Sequence, residues 1–432
     1  MSMLPLREYV ADLESPAFPV CGRLVRSVGL LLEASGPPMT VGNLVRVNDV
    51  AAQAVGFRDG ELLLLALDEA RGLRPGAAVR PFHLTFRIGH WILGRVLDGL
   101  GRPMDGKPLP AEGDETDLDL PPPDLNSRRP VEKPFDSGVR AINGIFTMGI
   151  GQKIGIFSMP GAGKSTLLAM MARTSAADAT VIALIGERGR EAREFIDELL
   201  GAAGLERSVV VVVTGDQPAP MRLRGAFLAT AIAAWLRRQG RNVLLLMDSL
   251  TRVAMAQREI GLASGEPPTM RGYPPSVYAL APRLVEQAGQ FDCGSITGIY
   301  TVLLHEEEQD VVGEIAKGTL DGHIALTARL ARRGHYPAIE VLESVSRVVN
   351  RVSTSDHSQA RGRFVELYSR WRDAEELIAL GQYSPGADAR TDEAVALHQN
   401  LEDFLRQDLT EGVALAQAVS ELRKAVGWNE KV

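Results

Sequence analysis

Two cysteines in 432 residues, Cys21 and Cys293, leave no disulfide framework and no metal-ligand spacing. They lie far apart and read as buried, reduced thiols of a cytosolic chain. Aromatic residues make up only 5% of the chain, which leaves few stacking platforms for single-stranded nucleic acid. A basic excess is also missing. Lys+Arg total 47 against 54 Asp+Glu, a net charge of -7, which argues against nucleic acid as the main partner. Long apolar runs are absent too. No stretch approaches the ~18 apolar residues of a membrane span, and the longest candidate, 226–236, is bounded by Arg224 and Arg237. The opening MSMLPLREYVADLE is acidic early and lacks the apolar core of a secretory leader. Membrane contact is therefore expected to be peripheral. Neither a repeat of solenoid length nor a low-complexity tract is visible.

What the chain does have is KIGIFSMPGAGKST, residues 153–166. An apolar β-type run is followed by a turn of Ser158, Met159, Pro160, Gly161, Ala162 and Gly163. Lys164, Ser165 and Thr166 then open the apolar helix LLAMMA. Strand, glycine turn, Lys-Ser and helix is the layout of a phosphate-binding loop. Glycines let several backbone N–H groups point at one anion, and the helix N-terminus adds partial positive charge there. Lys164 can reach the β- and γ-phosphates, and the Ser165 hydroxyl can hold Mg²⁺. Ser158 departs from the motif, which has glycine at that position.

Around this loop three regions are expected. Residues 1–80 alternate short apolar runs with Gly, Pro, Asn and Asp turns and read as a small, closed β-barrel. Glu33, Asp49 and Arg58 there read as solvated turn charges. PPPDLNSRRPVEKP (121–134) is an extended connection, because proline blocks both helix and interior strand. Residues 81–355 alternate strands with helices. Strands are expected at 180–186, 208–215, 242–248 and 295–304, and helices at 190–204 and 223–240. That alternation predicts a mostly parallel sheet with ligands bound beyond its carboxyl ends. In residues 356–432 the strands stop and three amphipathic helices follow.

Chemistry is expected where strands end. Asp248 terminates NVLLLMD and can orient Mg²⁺ through its waters beside the phosphate loop; without that loop, capping the helix that follows would be an equal reading. Glu187, in GERGRE, is the best placed base or orienter for an attacking water. Arg188 beside it could sense phosphate, and Glu191 could join the Mg²⁺ water shell; a surface cluster of helix-start charges is the plainer reading. Arg252, four residues after Asp248, is either a phosphate-facing cation or a helix-surface arginine. Tyr336, before Pro337, could stack on adenine or pack in the core. Arg347, in LESVSRV, is a candidate for an arginine supplied to a neighbour's phosphoryl group.

The segments SMPGAGKST, IGERGREAREFIDE, LLLMDSLTRVAMAQREIGLASGEPP, RGYPPSVYA, LDGHIALTARLARRGHYPAIEV and SVSRV together resemble the ATPases of type III protein secretion. The flagellar export ATPase is very similar, and the catalytic subunit of rotary ATP synthases more distantly so. DSLTRVAMAQREIGLA favours the export branch. The resemblance implies an α/β P-loop core with an N-terminal small β-barrel and a C-terminal helical domain. It implies ATP and Mg²⁺ as cofactors, and a homohexamer with nucleotide sites at subunit interfaces. The implied place is the cytoplasmic face of the inner membrane, with a central stalk, peripheral stator proteins, chaperone–cargo complexes and an export gate as partners. It carries the phosphate-loop lysine to Lys164, the Mg²⁺ hydroxyl to Ser165 and the catalytic carboxylate to Glu187. The Mg²⁺-side aspartate falls on Asp248, the adenine-stacking tyrosine on Tyr336 and the arginine finger on Arg347. GEPPTMRGYPPS (265–276) resembles a loop facing the ring axis. Three departures stand out: Asn143 where the family usually has Asp, an atypical 305–318 segment, and Lys317 in place of arginine. Two other readings compete. A non-catalytic ring subunit would resemble the family with Gln at position 187, and an RNA translocase would want a basic, aromatic-rich N-terminal domain. The short N-terminus leans toward injectisome rather than flagellar service.

Overall fold

The computed structural model describes residues 21–118, 120–304 and 310–428. The opening segment and the start of the atypical 305–318 segment, both singled out above, lie outside the described residues. By their contacts the residues form two compact units. One runs to Leu84 and takes in Pro218–Pro220 and Glu259–Pro267; the other holds the remainder.

The first unit is a closed barrel of β1 (Gly22–Val28), β2 (Leu31–Ser35), β3 (Leu44–Val47), β4 (Val50–Arg58), β5 (Glu61–Ala66) and β6 (Ala78–Phe82), in the order β1-β2-β5-β4-β3-β6. Strand β6 pairs with both β1 and β3, so no edge is left exposed. The run ELLLLA in β5 does not alternate, because both its faces are covered. Leu62 and Leu64 join Leu24, Leu32, Val45, Val47 and Val79 in the barrel core. Leu63 and Leu65 face outward and pack with Leu31 against Ile260 and Ala263. Glu33 is not the solvated turn charge expected. It sits in β2, buried, and accepts from Arg26 Nε at 2.7 Å; it lies on the outer, covered face of the barrel with Leu31 and Leu63, and a buried carboxylate needs a partner. Nor are the cysteines buried: Cys21 and Cys293 are both exposed. The apolar preference of a thiol is weak against chain position, and Cys293 falls at the tip of the turn between the strands Gly289–Phe291 and Ser295–Leu303.

The second unit is built on a mostly parallel sheet. Its strands are β7 (Val96–Leu97), β8 (Lys153–Ser158), β9 (Ala179–Ile185), β10 (Ser208–Val213), β11 (Asn242–Asp248), β12 (Ser295–Leu303), β13 (Gly322–Leu326) and β14 (Val345–Ser346), in the order β14-β13-β8-β12-β11-β9-β10-β7. All pairings along this path are parallel except β13 with the edge strand β14. Strands β9 and β10 are buried at every residue, which is why their sequences lack alternation.

The helix expected over 223–240 runs over Ala219–Arg238, four residues earlier at its start. The helix expected over 190–204 is broken. Gly189–Glu194 is α-helical, Phe195–Leu200 forms a π-helical stretch, and a further α-turn follows from Gly201, whose φ is +66°. The wider π turn brings Phe195 and Leu200 into the same core. Periodicity could not reveal this, because one extra residue per turn leaves the apolar spacing nearly intact.

Three helices close the chain: Ser355–Ala379, Ala389–Leu405 and Leu415–Ala425. Their Phe364, Leu401, Phe404 and Leu422 belong to one buried cluster with Ile142, Ile145 and Leu168 near the phosphate loop. Asn143 is fully buried at this junction. Its Oδ1 accepts from Ser137 N–H (2.9 Å) and Ser137 Oγ (2.8 Å), and its Nδ2 donates to Asp136 (2.7 Å) and to the Val413 carbonyl (2.9 Å). An aspartate could not make the last two bonds without taking up a proton. Asn143→Asp is therefore expected to cost about 1–3 kcal/mol and to regain part of it as the pH falls. Melting temperature measured across pH is the check; an unchanged melting temperature would mean that the amide is dispensable.

Candidate active site

Four neighbouring strands, β8, β12, β11 and β9, end side by side. The glycine turn follows β8, with Gly161 at φ +78° and Gly163 at φ +82°, values that a side chain would make costly. The turn delivers Lys164 as the first residue of the helix Lys164–Thr174. Ser158, the departure from the motif, is fully buried at the end of β8 and its carbonyl accepts from Leu304 N–H at 2.9 Å. Its hydroxyl is buried there without a hydrogen-bond partner.

Lys164 Nζ lies 3.0 Å from Glu187 Oε1 and 2.5 Å from Asp248 Oδ1. Glu187 comes from the turn after β9, and Asp248 is the last residue of β11, 2% exposed. Asp248 Oδ1 also accepts from Thr301 Oγ1 at 2.8 Å. Burial acts to lower Lys164, but the two carboxylates outweigh it and leave the ammonium raised, so it stays charged. Burial, with the Glu187 carboxylate beside it, holds Asp248 above the usual carboxylate range, while the Lys164 ammonium and the Thr301 hydroxyl pull the other way. Removing the cation leaves two adjacent carboxylates in a desolvated site. Lys164→Ala should cost about 3–5 kcal/mol at neutral pH. The carboxyl pKa values are then raised above their unfolded values, so stability is lost as pH rises through them and recovered below. Unfolding of this variant at several pH values is the check, and a pH-independent loss would count against the ion pair.

The other expected residues divide. Arg252 packs its stem across Gly186, where a Cβ would lie 2.7 Å from Arg252 Cβ, and so sits beside Glu187. Its Nε is buried without a hydrogen-bond partner. Tyr336 is 38% exposed and lays its ring against the loop, 3.3 Å from where a Cβ on Gly163 would be. Arg188 and Glu191 form a solvent-facing pair at 3.3 Å, with the Arg188 side chain 84% exposed. Arg347 lies elsewhere. Its N–H donates to the Asp321 carbonyl (3.0 Å), and Asp321 N–H donates to the Lys153 carbonyl (2.8 Å). Lys153 starts β8, whereas the phosphate loop follows its end. The six residues of that strand put the Arg347 backbone roughly 17 Å from its own loop. It is exposed there, with Nη2 donating to the Lys317 carbonyl at 3.2 Å. Thr301 is the residue that sequence reasoning missed. Its hydroxyl is one of four in SITGIYTVLL, with those of Ser295, Thr297 and Tyr300, and periodicity alone could not single it out.

The model for the "ATP synthase alpha/beta family, nucleotide-binding domain" matches residues 138–346. That for the "T3SS EscN ATPase C-terminal domain" matches residues 353–424. The chain is 45% identical to the type 3 secretion system ATPase of Xanthomonas euvesicatoria over 397 residues, 89% of each protein. It is 43% identical to the flagellum-specific ATP synthase of Bacillus subtilis (strain 168) over 419 residues, 95% of this chain and 96% of the relative. The chain belongs to the type III secretion and flagellar ATPase family. Among solved structures, the assembled ATPase EscN of the enteropathogenic E. coli type III secretion system superposes with a TM-score of 0.89 at 40% identity. The match covers 94% of this chain and 100% of the chain in that structure. EscN in complex with its central stalk EscO gives 0.88 at 40% identity. The ATPase therefore has the fold expected from its sequence: small barrel, P-loop sheet and C-terminal helices. Among the described residues no helix is long and apolar enough to cross a membrane.

Proposed function

We propose that this ATPase hydrolyses ATP in a homohexameric ring of a type III export apparatus, with each nucleotide held at a seam between two copies. The observation that carries the reading is the separation within one chain. Lys164, Glu187 and Asp248 converge at one end of β8, and the exposed Arg347 stands at the other. In this reading Lys164 leaves its carboxylates for the β- and γ-phosphate oxygens. Glu187, released from the ammonium, orients the attacking water and accepts its proton. Arg347 of a neighbouring copy meets the charge that develops on the transferred phosphoryl group. Arg252 faces phosphate, Arg188 leaves Glu191 and the solvent to reach it, Tyr336 stacks on adenine, and residues 158–166 wrap the phosphates. Ser165 and Asp248, with Glu191 through water, would hold Mg²⁺. Hard oxygen donors fit that ion, and among the described residues no cluster of three or more His, Cys, Asp or Glu forms a cage, so the set suits a cation shared with phosphates. When bound, the cation neutralises charge on the β- and γ-phosphates.

The partners in this reading are a central stalk, as EscO is for EscN, together with stator proteins and chaperone–cargo complexes. The ring would sit at the cytoplasmic face of the inner membrane. The working division of the chain is barrel 1–80, ATPase 81–355 and helical domain 356–432. ATPase rate per chain should rise steeply with protein concentration as rings assemble. Full activity in a strictly monomeric preparation would overturn the shared site. Flagellar service is a second reading, favoured by 47% identity to the flagellum-specific ATP synthase of Pseudomonas aeruginosa (strain PAO1) across 96% of both proteins. Deletion of the gene separates the two: loss of swimming points to the flagellum, and loss of secretion with swimming intact points to the injectisome.

A further inference from the structure

Gln407 lies just beyond the helix Ala389–Leu405, some seventy residues along the chain from Tyr336, yet is bonded to it. Its N–H donates to the Tyr336 carbonyl at 2.9 Å. The side chain, 6% exposed, is fully used. Oε1 accepts from Arg140 N–H at 2.7 Å, and Nε2 donates to the carbonyls of Gly138 (2.9 Å) and Glu411 (2.8 Å). Arg140 opens the short helix Arg140–Ile145, so the carboxamide satisfies one of its orphan N–H groups. Tyr336 itself is anchored weakly by packing, because the residue is over a third exposed and its ring rests on Gly163.

We propose that Gln407 is a positioning residue for the adenine platform. Its carboxamide fixes the backbone at 407 to the segment before the phosphate loop, and that backbone in turn holds Tyr336 over Gly163. This rests on the stacking role given to Tyr336 above. Gln407 touches no nucleotide, so its loss acts on base binding and leaves the phosphate grip intact.

The test compares Gln407→Met, Tyr336→Ala and the double variant in the full chain. ATP and inorganic tripolyphosphate serve as probes, the latter filling the phosphate loop without a base. Gln407→Met is expected to raise KM for ATP about 5- to 20-fold, with kcat changed less than about twofold. Inhibition by tripolyphosphate should be unchanged, and the variant should add nothing in the Tyr336→Ala background. An unchanged KM where Tyr336→Ala raises it overturns the proposal. Equal weakening of ATP and tripolyphosphate does so too, because it marks a structural collapse. An unchanged KM in Tyr336→Ala instead overturns the stacking reading itself. If Gln407→Met does not fold, Gln407→Glu, which keeps the acceptor for Arg140 N–H, carries the same comparison. Failure of both to fold assigns Gln407 to stability and overturns the proposal.

Discussion

Replacing Arg347 with alanine should lower ring ATPase activity by about 10³- to 10⁵-fold, equivalent to roughly 4–7 kcal/mol of transition-state stabilisation. Nucleotide binding by each chain should be nearly unchanged, because Arg347 is about a strand's length from its own phosphate loop. The fold should survive as well. The side chain is exposed, and its recorded bond is to one carbonyl, that of Lys317, which water can satisfy instead. The decisive measurement is complementation. A chain lacking Lys164 still offers its Arg347, and a chain lacking Arg347 still offers its phosphate loop. Random mixing makes about a quarter of the interfaces competent in a ring of heterologous contacts, so activity should return well above that of either variant alone. No recovery, in mixtures shown to form joint rings, would remove the trans role.

Glu187→Gln should bind ATP and fail to turn it over, losing about 10²- to 10⁴-fold in steady-state rate. The substitution is nearly isosteric, and a carboxamide oxygen can still accept from the Lys164 ammonium 3.0 Å away. Asp248, paired to the same ammonium and to Thr301, should keep the lysine in place. What is lost is basicity at the strand end. Turnover at the parent rate would strip Glu187 of its role and turn attention to the water shell of Asp248. Fluorescent-nucleotide binding beside phosphate release separates the two steps.

How much of this was legible depends on the distance over which each signal acts. The phosphate loop, its lysine and the aspartate ending NVLLLMD are written in consecutive residues, because a glycine turn between a strand and a helix has local causes. The barrel follows from short apolar runs cut by turn residues, and the three closing helices from an apolar period of three-to-four. By contrast, the break at Phe195–Leu200 hides within a nearly unchanged spacing, and the burial of Glu33 depends on what covers the outer face of the barrel. The solvent-facing pair of Arg188 and Glu191 differs from the Lys164 cluster only in where the chain turns after β9.

By itself, the sequence determined the elements and the chemistry each can carry: a phosphate-gripping lysine, carboxylates at strand ends and an arginine outside the main cluster. Only the tertiary structure decided which of them meet. Parallel pairing set Glu187, Asp248 and Thr301 at adjacent strand ends around Lys164, and the antiparallel edge strand β14 on β13 set Arg347 at the opposite end of β8. The reason is geometric: hydrogen-bonded register between strands far apart in the chain fixes what is near and what is far, and no local period records it.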